Sequence, residues 1–163
     1  MKTCHHAVTQ RRGVLAGAAL ALWLALASAP ACAAEASVRI ADDRGSVHVF
    51  EHTPQRIVSM LPSLTESVCA LGACARLVGV DRYSDWPASV DRLPRLGGLD
   101  DALVEAIAAL KPDVVLASTS SRALDRLDAL GLRVVRLKSD THADVRRTLR
   151  LLRLIEASNE RHT

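Results

Sequence analysis

The sequence predicts an α/β fold, a three-layer sandwich with a central parallel sheet, preceded by a β-hairpin. Two observations carry this. Four short apolar runs, each with two β-branched residues (Ile57-Val58-Ser59, Leu77-Val78-Gly79-Val80, Val114-Val115-Leu116-Ala117 and Val134-Val135-Arg136-Leu137), alternate with helical segments. Strands that read as nearly unbroken apolar runs are buried on both faces, which is the situation of a parallel sheet covered by helices on either side. A third observation supplies the hairpin: Ser37 to Ile40 and Ser46 to Phe50 alternate around Ala41-Asp42-Asp43-Arg44-Gly45, a turn containing glycine.

The elements follow in order. After the hairpin, Arg56 to Ser59 forms a strand that runs into Pro62. Ser63-Leu64-Thr65-Glu66 then has the spacing of a capping box and predicts a helix ending at Gly72. A strand over 77–80 leads to a long loop, Asp81 to Gly98. A helix is predicted over 101–110 and stops at Pro112. The strand from Val114 is followed by a helix over 121–130 closed by Gly131, and then by the strand from Val134. The last element, from about His142 to Ala157, carries an apolar stripe of Val145, Leu149, Leu152 and Ile155. Arg146, Arg147, Arg150 and Arg153 occupy its other side, read as a solvated face.

The first 34 residues are organised differently. A polar start leads to Arg11-Arg12, then an uncharged stretch from Gly13 to Ala34 that closes on Ala31-Cys32-Ala33-Ala34. Charge, apolar core and small-residue site in that order predict a cleaved signal peptide over 1–34, and hence a periplasmic mature chain. A retained membrane helix and a lipoprotein anchored at Cys32 are the alternatives. Arg11-Arg12-Gly13-Val14-Leu15 resembles the twin-arginine signal, and ordinary Sec export fits as well.

Charge and cysteine usage narrow the function classes. Three of the 21 Lys and Arg residues lie in the leader, so residues 35–163 hold 18 of them against 18 Asp and Glu. A neutral mature chain does not favour a nucleic-acid partner. At about 129 residues it is one domain in size. Cys69 and Cys74 are the cysteines left after the leader. A disulfide between them is compatible with an oxidising compartment, and two buried apolar thiols are the expected state.

Parallel sheets bind ligands beyond the C-terminal ends of their strands. Met60-Leu61-Pro62-Ser63, Asp81 to Gly98 and Ser118 to Ser121 fall there. The mature chain has three aromatic residues, Phe50, Tyr83 and Trp86, and two of them lie in the middle loop. That placement predicts a flat apolar ligand face at Tyr83 and Trp86, against the plainer reading that Trp86-Pro87 fastens the loop. No phosphate loop, zinc signature or serine elbow is present, and the histidines, His48 among them, read as surface or hairpin residues. No catalytic residue, metal site or cofactor is therefore expected, and an enzyme is disfavoured.

Several linked segments resemble the substrate-binding proteins of cobalamin and iron-chelate ABC importers. They are Arg56 to Glu66, Ala70-Leu71-Gly72, Leu77 to Val80, and Leu103 to Val115. The resemblance implies a bilobal receptor with a helical backbone, in which residues 35–140 form the N-terminal ligand-binding lobe. Residues 141–163 then begin the helix between lobes. The cobalamin branch resembles the chain most at Tyr83-Ser84-Asp85-Trp86-Pro87, which implies Tyr83 as a ligand contact and, more weakly, Trp86. Pro62 and Ser63 border the same edge, and Leu99 stands where that branch implies a second aromatic contact. Glu105 matches a glutamate that docks on an inner-membrane permease, the alternative being an exposed carboxylate supporting its helix. The implied ligand is cobalamin or a related corrinoid, with haem or a ferric siderophore as alternatives. A monomer is expected. The second lobe would lie outside these 163 residues, so weak binding by this segment alone is expected. A reading of another class, an exported α/β interaction protein without a small ligand, remains beside it.

Overall fold

The computed structural model describes residues 37–156, with side chains to 154. The signal-peptide prediction for residues 1–34 lies outside the described residues. β1 (Val38–Ala41) and β2 (Val47–Phe50) form the antiparallel hairpin, with Gly45 at φ +86° in its turn. β3 (Ile57–Ser59), β4 (Leu77–Val80), β5 (Val114–Ser118) and β6 (Val134–Leu137) form one parallel sheet in the order β4-β3-β5-β6. Helices α1 (Pro62–Ala70), α2 (Val104–Ala109), α3 (Asp125–Ala129) and α4 (His142–Glu156) cover it.

Each strand divides its side chains between two cores, as the two-residue period of a strand requires. Ile57, Val114, Leu116, Val135 and Leu137 pack with Leu64 and Val68 of α1, Leu152 of α4, and Ile40 and Phe50 of the hairpin. Val58, Val115, Ala117 and Val134 pack with Val104 and Ile107 of α2 and Leu127 of α3. Layer, sheet and layer follow from this division, and the hairpin closes the first face.

Five local expectations are corrected. The capping box does not form. Helix α1 starts at Pro62 with Leu61 as N-cap, and no side chain caps it. Proline, with no N–H to satisfy and φ already near the helical value, takes the first position and leaves Ser63 one residue too far in to cap. The helix predicted over 101–110 is shortened to α2, because Asp101 is held in the preceding loop by the Gly98 N–H (2.8 Å) and by Arg82. The helix predicted over 121–130 opens as a 3₁₀ turn, Arg122–Leu124, and only α3 is regular.

The other two corrections concern helix ends and faces. Cys69 and Cys74 are disulfide-bonded, not free thiols. Helix α1 ends with Gly72 at φ +88°. The Gly72 N–H bonds the Cys69 carbonyl (3.0 Å) and the Ala73 N–H bonds the Val68 carbonyl (3.1 Å). This glycine-reversed helix end folds the chain back and delivers Cys74 to Cys69. In α4, Leu152 is buried and Leu149 half-buried as the stripe requires, but Thr148 is buried and Leu151 half-buried beside them, while Val145 is 40 % exposed. The buried face is rotated because the Thr148 hydroxyl donates to the Lys138 carbonyl (3.3 Å) and Arg147 pairs with Asp43 (2.6 Å). The Ile155 side chain is outside the described set.

Of the two expectations for His48, surface or hairpin, the hairpin one holds: it lies on β2 and points inward. Its side chain is 10 % exposed and its Nε2 lies 3.1 Å from the Asp42 carboxylate. Asp42 also accepts the backbone N–H groups of Arg44, Ser46 and Arg136, tying the hairpin to β6. Burial would raise the Asp42 pKa, but His48 and those three N–H donors outweigh it and hold the group below its ordinary value. A carboxyl with a depressed folded-state pKa stabilises above its unfolded value, about 3.9, and loses that contribution as pH falls toward the folded value. Stability of the wild type is therefore expected to fall below about pH 4, and Asp42→Asn to flatten that fall. Urea midpoints measured from pH 6 to pH 2.5 check this.

Candidate ligand cleft

The sheet order places β3 between β4 and β5, and the loops leaving these strands meet at one edge. The Met60 N–H bonds Leu116 (2.8 Å) and the Asp81 N–H bonds Ser59 (2.9 Å), so the strand ladder carries both chains to the rim. Beyond it, Asp81 is 1 % exposed and organises the next turn. Its carboxylate accepts the Tyr83 N–H (2.9 Å) and the Ser84 hydroxyl, an aspartate-stabilised turn. Ser84 lies 2.8 Å from the Thr65 hydroxyl, and Thr65 in turn reaches Ser59 (2.9 Å) and the Leu61 carbonyl (3.3 Å). This buried chain of hydroxyls fixes the loop after β4 onto the loop after β3.

The far limb of the loop returns beside β4. The Leu96 N–H bonds Val80 (2.9 Å), and the Arg82 N–H bonds Gly97 (2.8 Å). Gly97 has φ +88°, and a Cβ there would collide with the Asp101 backbone; one at Gly98 would lie 3.4 Å from the Tyr83 ring. Gly97 is required by the Asp101 backbone, and Gly98 brings the limb into van der Waals range of the tyrosine ring.

The result is a cleft of about 360 Å³. Met60, Leu61 and Pro62 form one wall, Asp81, Arg82 and Tyr83 another, and Gly98, Leu99, Asp100 and Asp101 the third. Tyr83 is 66 % exposed, with Arg82 5.8 Å from its ring centre. Of the residues singled out in the sequence, Pro62, Tyr83 and Leu99 come together here. Ser63 and Trp86 do not line the cleft, and Trp86 is 66 % exposed. Glu105 lies in the first turn of α2, 79 % exposed and 3.3 Å from Arg126. An exposed pair of this kind adds little stability.

Sequence reasoning missed Asp81, Arg82, Asp100 and Asp101. An aspartate directly after a strand, and another following Gly97-Gly98, was the available signal. A larger cavity of about 580 Å³ sits by Val49, Glu51, Asp113 and Arg133, at the opposite end of the strands. Asp113 there already accepts the N–H groups of Gln55 and Arg56 (both 2.8 Å), so it serves to close the strand starts. Among the described residues, no group of three or more His, Cys, Asp or Glu is placed to hold a metal ion.

The sequence pattern of the family described as periplasmic binding protein matches residues 57–154, which spans the sheet, the cleft and most of α4. The chain belongs to the periplasmic binding protein family. The vitamin B12-binding protein of Yersinia pestis (strain Pestoides F) is 40 % identical over 93 residues, 55 % of this chain and 33 % of that one. The vitamin B12-binding protein of Yersinia pseudotuberculosis (serotype O:1b) matches equally. The chain thus spans about a third of the length of the curated relatives it matches. Among solved structures, the periplasmic vitamin B12 binding protein BtuF of Vibrio cholerae is similar, with TM-score 0.62 and 29 % identity, covering 67 % of this chain and 44 % of that one. A periplasmic haem binding protein from Pseudomonas aeruginosa has TM-score 0.56 and 30 % identity, covering 66 % and 41 %. In this member of the periplasmic binding protein family, the cleft stands where a parallel sheet takes its ligands. The named relatives are binding proteins.

Proposed function

We propose that the chain is part of the solute-binding component of an ABC importer, capturing cobalamin or a related corrinoid in the periplasm and delivering it to an inner-membrane permease. The observation that carries this reading is the cleft, whose tyrosine faces an opening bordered by Met60, Pro62 and Leu99. Such a surface suits a broad, flat, largely apolar ligand, with Tyr83 stacking on the macrocycle. Pro62 and Leu99 form the apolar rim. Ser63 and Trp86, outside the lining, meet only the periphery of a large ligand. The chemistry is reversible capture with no covalent step and no resident cofactor, between this lobe and a second one joined through α4. A monomer suffices for that. Haem is the second reading, supported by the 30 % identical haem binding protein of Pseudomonas aeruginosa.

Calorimetry of the gene's full product with cyanocobalamin, haemin and a ferric siderophore tests the reading. Tight binding of cyanocobalamin is expected, and Tyr83→Ala should weaken it roughly tenfold, the scale of one lost aromatic contact. No heat with any of the three ligands refutes the receptor reading and leaves the exported interaction protein in its place. Docking through Glu105 is tested separately. Glu105→Arg should cut corrinoid uptake by whole cells severalfold while leaving ligand affinity unchanged, because charges at an encounter surface govern orientation and approach. Unchanged uptake would return Glu105 to its pairing with Arg126.

A further inference from the structure

We propose that this cleft selects ligands whose rim is uncharged and rich in hydrogen-bond donors, such as carboxamides, and discriminates against ligands with a carboxylate rim, and that Asp100 is the residue that does so. The inference rests on the receptor reading above and deepens it. The cleft lining holds three carboxylates, Asp81, Asp100 and Asp101, against one guanidinium, Arg82. Two of the three carboxylates are already engaged. Asp81 accepts the Tyr83 N–H and the Ser84 hydroxyl, and Asp101 accepts the Gly98 N–H and pairs with Arg82. Arg82 is therefore committed, and its charge is offset within the lining.

Asp100 is different. It is exposed, lies between Leu99 and Asp101 in the lining, and has no hydrogen-bond or ion-pair partner among the described residues. An ionised carboxylate is an acceptor only, so it takes an amide N–H and repels another carboxylate. Two further arginines on neighbouring segments have no pairing with Asp100 among the described residues. Arg95 is spent on the Ser84 carbonyl and on Asp91 (3.5 Å), and Arg122, beyond β5, is not part of the lining. The apolar members of the lining, Met60, Leu61, Pro62, Tyr83 and Leu99, meet the face of a corrin or a porphyrin alike. The uncompensated charge at their edge separates a corrinoid, edged with amides, from haem, edged with two propionates.

The experiment compares cyanocobalamin with its monocarboxylate, in which one side-chain amide is replaced by a carboxylate of nearly the same shape, using the gene's full product. The amide form is expected to bind roughly fivefold to tenfold tighter at low ionic strength, the size of one like-charge contact at a partly solvated distance. The gap should narrow at 0.5 M salt on the order of Debye screening. Asp100→Asn should remove it, and Asp100→Lys should reverse it. Asp100 bonds to none of the described residues, so neither variant disturbs the fold. Equal affinity for the two forms, or a gap that persists in Asp100→Asn, overturns the proposal while the corrinoid reading stands. Haemin binding more tightly than cyanocobalamin overturns both the proposal and the corrinoid assignment. Absence of binding by all three ligands refutes the receptor reading and this inference together.

Discussion

Asp81→Ala is expected to destabilise the protein by about 3 kcal/mol, the cost of leaving buried donors without their charged acceptor, and to abolish ligand binding at the cleft. Asp81 is 1 % exposed and stands where β4 passes into the site loop. It receives the Tyr83 N–H and the Ser84 hydroxyl, and through Ser84 it continues to Thr65, Ser59 and the start of α1. Removing it leaves the Tyr83 N–H without its acceptor and lets the tyrosine loop detach from the sheet. Asp81→Asn keeps one acceptor oxygen at the same place and should lose about half as much, because the bond it retains is neutral. Urea denaturation of both variants checks the ordering. Equal stability of Asp81→Ala and wild type would mean that water replaces the carboxylate and that the hydroxyl chain does not fix the loop.

Arg136→Ala should cost a comparable amount, about 3 kcal/mol, through the packing lost when a long buried side chain is truncated. Arg136 lies on β6 between Val135 and Leu137, in the part of the strand that faces α3, and its side chain is 3 % exposed. It reaches Asp125 (2.8 Å) and Asp128 (2.6 Å), whose side chains are about half exposed. Burial works against its charge, and the two aspartates outweigh that and hold its pKa above the ordinary value. Its Nε has no hydrogen-bond partner among the described residues. The acids are partly solvated, and Arg44 also holds Asp125 (2.7 Å), so they tolerate the loss of the guanidinium. The volume is harder to replace. Arg136→Met, apolar and of similar length, should therefore recover most of the stability lost by alanine. If methionine proves as damaging as alanine, the ion pairs and not the packing hold α3 on the sheet.

These two residues show where sequence reasoning succeeds and where it stops. Arg136 is legible as a strand position, since Val134-Val135-Arg136-Leu137 is recognisable by its β-branched residues alone. That it is buried depends on Asp125 and Asp128 being presented by α3, a contact between segments that no local pattern announces. Asp81 is likewise visible only as the first polar residue after a strand. Its role comes from Thr65 and Ser84, which lie 19 residues apart and meet across the loops. The capping box at Ser63 failed for the converse reason. The local pattern was present, but Pro62 took the first helical position and Thr65 was drawn into the buried chain. Cys69 and Cys74 paired because a glycine-reversed helix end brought them together, and spacing alone does not show that reversal.

The α/β class, the hairpin, all four parallel strands and the sheet edge at which the candidate cleft opens were determined by the sequence itself. These properties rest on hydrophobic periodicity and on glycine and proline, which act within a few residues of one another. Which candidates share the cleft was decided only by the tertiary structure. Pro62, Tyr83 and Leu99 converge there, Trp86 and Ser63 stand aside, and Asp100 is left with a charge that nothing among the described residues neutralises. The physical reason is that strand order, and with it the meeting of loops distant in sequence, is set by the packing of two cores on opposite faces of the sheet. A side chain's solvation and its charge partners follow from that packing and from no segment alone.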